Sequence, residues 1–123
     1  MIDRQKFNDT FQYFDKEVIL DIIDLYEKEL PERFEKIQKN ILDKDFDALA
    51  FNVHSLKSVT SSFMAAEPSE LAKALENMAL SRTNQGLPEL FKKLRFSIEE
   101  LLIELRIIRQ ELLSGDHPLL SKA

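Results

Sequence analysis

NVHSLKSVTSSFMAA, residues Asn52–Ala66, holds His54, one of only two histidines in the chain, inside a strongly helical pattern. Read together with the residues before it, Phe46, Leu49, Val53, Leu56, Thr60 and Phe63 recur at helical spacing, so the stretch predicts a helix from about Phe46 to Met64. His54 lies between Val53 and Leu56, both assigned to the buried stripe, and therefore points to the edge of that face or to water. Successive helical residues turn by about 100°. That places Asp47, Ala50, Phe51, Lys57, Ser58, Ser61 and Ala65 on the side of His54. Ala50, Ser58, Ser61 and Ala65 are small, which keeps the approach to the imidazole open. Lys57 sits one turn on and can bring its ammonium into the same space.

The chain on either side reads as more helix. Asp43-Lys44-Asp45 is short and polar, with Asp45 suited to an N-cap, and so brief a link implies antiparallel neighbours. Before it, a helix from about Lys16 to Leu42 opens on Asp15 as cap and buries Ile19, Ile22, Ile23, Tyr26, Leu30, Phe34, Ile37 and Ile41. Pro31 interrupts that stripe without shifting its phase, which predicts a kink near Tyr26–Pro31 rather than a break. Residues 3–14 predict a short flap helix, capped by Asp3, with Phe7, Phe11 and Phe14 on one face.

After the His54 stretch, Glu67-Pro68-Ser69 opens a third helix, from about Pro68 to Arg82. Leu71, Leu75 and Met78 face inward there, Ala72, Ala74 and Ala79 allow close packing, and Gly86 stands near the C-cap. A fourth helix runs from about Pro88 to Leu113. Leu87, Leu94, Leu101 and Ile108 recur every seven residues, and Phe91, Ile98, Leu105 and Leu112 form a second register. Such a seam fits a coiled-coil dimer or one wall of an intramolecular bundle. The bundle is preferred because every other helix also carries a stripe that needs cover. Residues 115–123, with His117, are expected to be a loose tail. The expectation is a single all-α domain over 1–123, an antiparallel up-down-up-down four-helix bundle with a flap over residues 1–14.

Composition narrows the function. Two glycines and four prolines in 123 residues favour few, long elements. There is no cysteine, and two distant histidines make a poor zinc set. A net charge of −5 disfavours nucleic acid as a partner. No apolar run reaches membrane-spanning length, and MIDRQKFNDT lacks a signal core, so no membrane association and a cytoplasmic location are expected. No glycine-rich phosphate loop is present, so ATP-dependent self-phosphorylation is not expected.

A lone surface histidine is most often merely solvated, as is a lysine one turn away, and H-x-L-K by itself is a weak pattern. The combination with a stripe of small residues at a helix edge carries more. A neutral imidazole is a nucleophile near neutral pH, and a phosphoryl group bound to it brings negative charge that Lys57 can offset. His54-Ser55-Leu56-Lys57-Ser58 resembles the signature of histidine-containing phosphotransfer (HPt) domains, H-x-L-K-G followed by small residues. Leu71-Ala72-Lys73-Ala74-Leu75-Glu76 resembles the family's next helix, which often carries a Leu-Glu pair. The resemblance covers essentially the whole chain. Two positions depart from it. Ser58 stands for the first glycine, a change of little consequence inside a helix. Met64 stands for a second glycine and, on the helical wheel, falls near the core face, where it alters packing.

The resemblance implies a phosphorelay intermediate, with His54 as phosphoacceptor and Lys57 as supporting cation. Its partners would be receiver domains of response regulators or a hybrid sensor histidine kinase. Mg²⁺ would be supplied by the receiver, with no metal or other cofactor here. Ala50, Phe51, Ser58, Ser61 and Ala65 would form the docking surface, and the chain would act as a monomer without kinase activity. Phe51 suits a docking hot spot, against the plain reading of an incidental exposed aromatic. Ser61 is read as keeping space clear. A helical adaptor that binds receivers without chemistry is the alternative, and a bundle-core metal enzyme lacks the needed Glu-x-x-His pairs.

Overall fold

The structure, a computed structural model, describes residues 1–117. The chain forms five helices, α1 (Arg4–Phe11), α2 (Lys16–Asp43), α3 (Phe46–Ser61), α4 (Ala66–Leu80) and α5 (Leu87–Ser114). No strand occurs among the described residues, only an isolated bridge between Ile2 and Ala65. The long helices pack in a ring, α2 on α3, α3 on α4, α4 on α5 and α5 back on α2. Both registers of the α5 heptad are buried within the chain, so that seam closes the intramolecular core and is not a dimer surface.

Pairs across the α2–α3 and α2–α5 seams fix how those helices run. Tyr26, Arg33 and Asn40 of α2 meet Thr60, Ser55 and Asn52 of α3 in reversed order. Asp24 and Glu27 of α2 likewise meet Arg109 and Arg106 of α5. The Tyr26 hydroxyl bonds Thr60 Oγ1 at 2.9 Å inside the core, and burial pushes its pKa up to about 12. α2 continues through Pro31 without a break.

The capping expectations divide. Asp3 and Asp45 accept the Lys6 and Ala48 amides, as their positions predict. Asp15 precedes α2 but its carboxylate makes no cap bond; its backbone carbonyl accepts from Val18 and Ile19 instead. Gly86, expected to close the third helix, instead opens α5 with φ 85°. Arg82 closes α4, at φ 55°: its amide bonds Ala79 O and the next amide bonds Met78 O, a Schellman arrangement that normally favours glycine.

The expected run of α3 to Met64 is also too long. Ser62 Oγ donates to Val59 O, the carbonyl that the Phe63 amide would need to continue the helix. Phe63 and Met64 bond Thr60 O and Ser61 O in a tighter turn, and Met64 then adopts φ 61°. Met64 therefore does not sit on a helical core face. It holds the left-handed position where a glycine would be unstrained. α4 starts two residues early, at Ala66, with Pro68 buried in its first turn. Ala72 and Ala79 are buried as expected, while Ala74 faces water.

The N-terminal residues are tied down. Ile2 pairs with Ala65, and the Asp3 amide donates to Met64 O at 2.8 Å. Glu104 of α5, itself buried, accepts the Ile2 amide at 2.8 Å and Arg4 Nε at 3.0 Å. α1 ends at Phe11, so Phe7 and Phe11 enter the core while Phe14, past the helix, is half exposed and stands edge-on to Phe11. His117, expected in a loose tail, is 2% exposed and packs edge-on against Phe7, and burial lowers its pKa. The remainder of the expected tail, 118–123, lies outside the described residues.

Candidate functional site

α3 carries His54 on its outer edge because Val53 and Leu56 are drawn fully into the core on either side of it. The His54 side chain is 60% exposed. Its Nδ1 lies 2.7 Å from Oε2 of Glu76, which reaches across from α4. The other carboxylate oxygen, Oε1, accepts from Lys57 Nζ at 2.6 Å. Glu76 is 13% exposed and Lys57 26%. Burial alone would raise the Glu76 pKa. The hydrogen bonds from Lys57 and His54, together with their charges, outweigh it and hold the carboxyl below its ordinary value.

An ionised carboxylate only accepts hydrogen bonds, so Nδ1 is the donor of the pair. In the neutral ring the proton is thereby held on Nδ1, with the lone pair on Nε2, the nitrogen away from Glu76. One side chain thus sets the tautomer and the ring orientation and leaves the lone pair on Nε2, while Lys57 balances its charge.

The expected surface is only partly assembled. Phe51 and Ser58 are exposed, and Ala50 is half-buried against the core. Ser61 is half-buried and its hydroxyl donates to Ser69 Oγ at 3.2 Å. Ala65 is a correction: it lies beyond the end of α3, is 2% exposed, and is covered by the N-terminal residues through its bridge with Ile2. It is therefore not available to a partner. Behind the site, Arg33 donates to Ser55 Oγ and Asn52 to Asn40 Oδ1, which fasten α3 to α2.

α3 and α4 are held in a fixed register. Ser61 meets Ser69, His54 meets Glu76 and Asp47 meets Arg82, so a step up one helix is matched by a step down the other. By that register Leu80, exposed on α4, stands level with Ala50. The sequence reading assigned no role to Leu80 or to Glu76. The one signal for Glu76 was the Leu75-Glu76 pair; its distance of 22 residues from His54 hides the contact from local patterns.

Among the described residues, no three His, Asp or Glu side chains are placed to hold a metal ion, and no helix is long and apolar enough to cross a membrane. A comparison with curated proteins and one with solved structures return no match. The family model described as the Hpt domain matches residues 21–112, which include α3, α4 and both partners of the His54–Glu76 bond. The chain belongs to the Hpt domain family, the histidine phosphotransfer modules of phosphorelays.

Proposed function

We propose that His54 accepts a phosphoryl group from the aspartyl phosphate of a receiver domain and passes it to the aspartate of another, on an up-down-up-down four-helix scaffold. Nε2 attacks phosphorus in line. The N–P bond forms as the bond from phosphorus to the acyl oxygen breaks, and the aspartate leaves as a carboxylate. The ring becomes a phosphoimidazolium that keeps its Nδ1 proton on Glu76. Positive charge thus develops beside a carboxylate already in place, which is electrostatic stabilisation without rearrangement. The reverse step returns the lone pair to Nε2 and releases the phosphoryl group to the second aspartate. Positioning and charge account for catalysis in such transfers. The receiver supplies Mg²⁺; this chain contributes no metal or other cofactor and has no kinase activity of its own.

The observation that carries this reading is the 2.7 Å contact of Glu76 with Nδ1 of a histidine whose side chain is 60% exposed. Phe51, Ala50, Ser58, Ser61 and Leu80 form the surface that a receiver meets, and the chain acts as a monomer. The test is labelling by phosphoramidate and by phospho-receivers. Wild type takes up a base-stable, acid-labile phosphate, and His54→Gln takes up none while remaining folded. An acid-stable label, or equal labelling of the Gln variant, refutes the assignment.

A further inference from the structure

We infer that Lys73, on α4, is the catalytic cation of this site, the one that contacts the phosphoryl group; this rests on the His54 reading above. Lys57 is the obvious candidate for that role, one turn from His54. Its ammonium, however, is bound to Glu76 at 2.6 Å. Drawing it away would leave the Glu76 carboxylate poorly solvated and held by the imidazole alone, a costly exchange. The incoming group brings roughly two negative charges and calls for a cation that is still available.

The helices that form the site, with the turn after α4, carry three cations. Lys57 is paired with Glu76 and Arg82 with Asp47. Lys73 is exposed and makes no ion pair among the described residues. Its position follows from the register. Lys73 precedes Glu76 by three residues and so lies on the same side of α4, one turn back. Because His54 meets Glu76 and Ser61 meets Ser69, Lys73 stands level with Lys57, just beyond the imidazole. The axial offset from Glu76 is ~4.5 Å at the rise of an α-helix. The separation across α3 and α4 is about 8–10 Å. A four-carbon stem with three rotatable donors can cover that span to a group standing out from Nε2.

The two lysines then divide the work. Lys57 keeps Glu76 ionised and the ring tautomer fixed. Lys73 neutralises the equatorial phosphoryl oxygens as the N–P bond forms, and donates charge without transferring a proton.

The test measures initial labelling by phosphoramidate in wild type, Lys73→Gln, Lys73→Arg and Lys57→Gln, alongside ¹⁵N shifts of the His54 ring in the unphosphorylated proteins. Lys73→Gln is expected to label about ten-fold more slowly, with unchanged ring shifts and an unchanged Tm, because the side chain is exposed and unpaired. Lys73→Arg restores the rate to within about three-fold, since charge is what is required. Lys57→Gln moves the ring shifts. Labelling of Lys73→Gln within two-fold of wild type overturns the inference, as do ring shifts that move with Lys73, which would mean that it acts through Glu76. Wild type that labels normally beside an unaffected Lys73→Gln sinks this inference alone; wild type that never labels sinks the His54 reading and this one together.

Discussion

Two cation–carboxylate contacts in this protein have the same length and opposite significance. Arg106 meets Glu27 across the α2–α5 seam at 2.6 Å, and Lys57 meets Glu76 across the α3–α4 seam at 2.6 Å. The α2–α5 side chains, with the neighbouring pair Arg109–Asp24, are 41% to 60% exposed, so water competes for every charge and screens the attraction. Glu76 is largely withdrawn from water and is shared by two donors. Contact distance therefore says little by itself. Solvent access decides whether an ion pair is a surface ornament of a seam or a device that fixes the state of a neighbouring group.

The sharpest way to break that contrast is to remove one acid from each seam. Glu76→Ala frees the imidazole to exchange tautomers and, in the proposed mechanism, removes the carboxylate that meets the developing ring charge. Phosphoramidate labelling of His54 is expected to fall more than ten-fold, within the range associated with losing a positioned charge in a transition state. Asp24→Ala and Glu27→Ala leave labelling unchanged.

Acid provides a subtler comparison. Because the folded pKa of Glu76 is depressed, its contribution to stability is complete above the ordinary value of 4.5 and is lost only as pH falls through the lower folded value. The stability gap between wild type and Glu76→Gln in urea titrations should hold from neutrality to about pH 5 and close below the ordinary carboxylate range. A gap that closed between pH 7 and 5 would mean that Glu76 is not held ionised.

The turn joining α3 to α4 offers a change of opposite sign. Met64→Gly relieves a left-handed backbone position and is expected to stabilise the fold by about 0.5–1 kcal/mol, with the Tm rising. Labelling at His54 should be preserved. The smallest effect belongs to the α2–α5 seam: Asp24→Ala and Glu27→Ala should each shift the unfolding free energy by less than about 0.5 kcal/mol.

What could be read from the sequence was what depends on neighbours along the chain. The stripes Ile19–Ile41, Leu49–Thr60 and Leu87–Leu112 were legible because helical periodicity is local, and they place α2, α3 and α5. Asp3 and Asp45 were legible as caps for the same reason. Helix ends were less so. Whether α3 stopped at Ser61 or ran on depended on the Ser62 hydroxyl taking the Val59 carbonyl, a choice invisible in a hydrophobic pattern. Gly86 was expected near the C-cap of α4, but the chain had already closed that helix at Arg82 before it reached the glycine. In the candidate site, His54 and Lys57 were found through their spacing on one helix. Glu76 reaches the imidazole from the next helix, and Ala65 is covered by Ile2, far earlier in the sequence; both are facts of tertiary packing.

The N-terminal residues have a consequence for isotope exchange. Amides near a chain terminus ordinarily fray and trade protons with solvent within moments. Here the Ile2 amide is bound to the Glu104 carboxylate and the Asp3 amide to the Met64 carbonyl. Deuterium uptake at both should track the opening of that clasp rather than the rate of an unstructured end, and the pair can serve as a clock for how often the junction of α3 and α4 is uncovered.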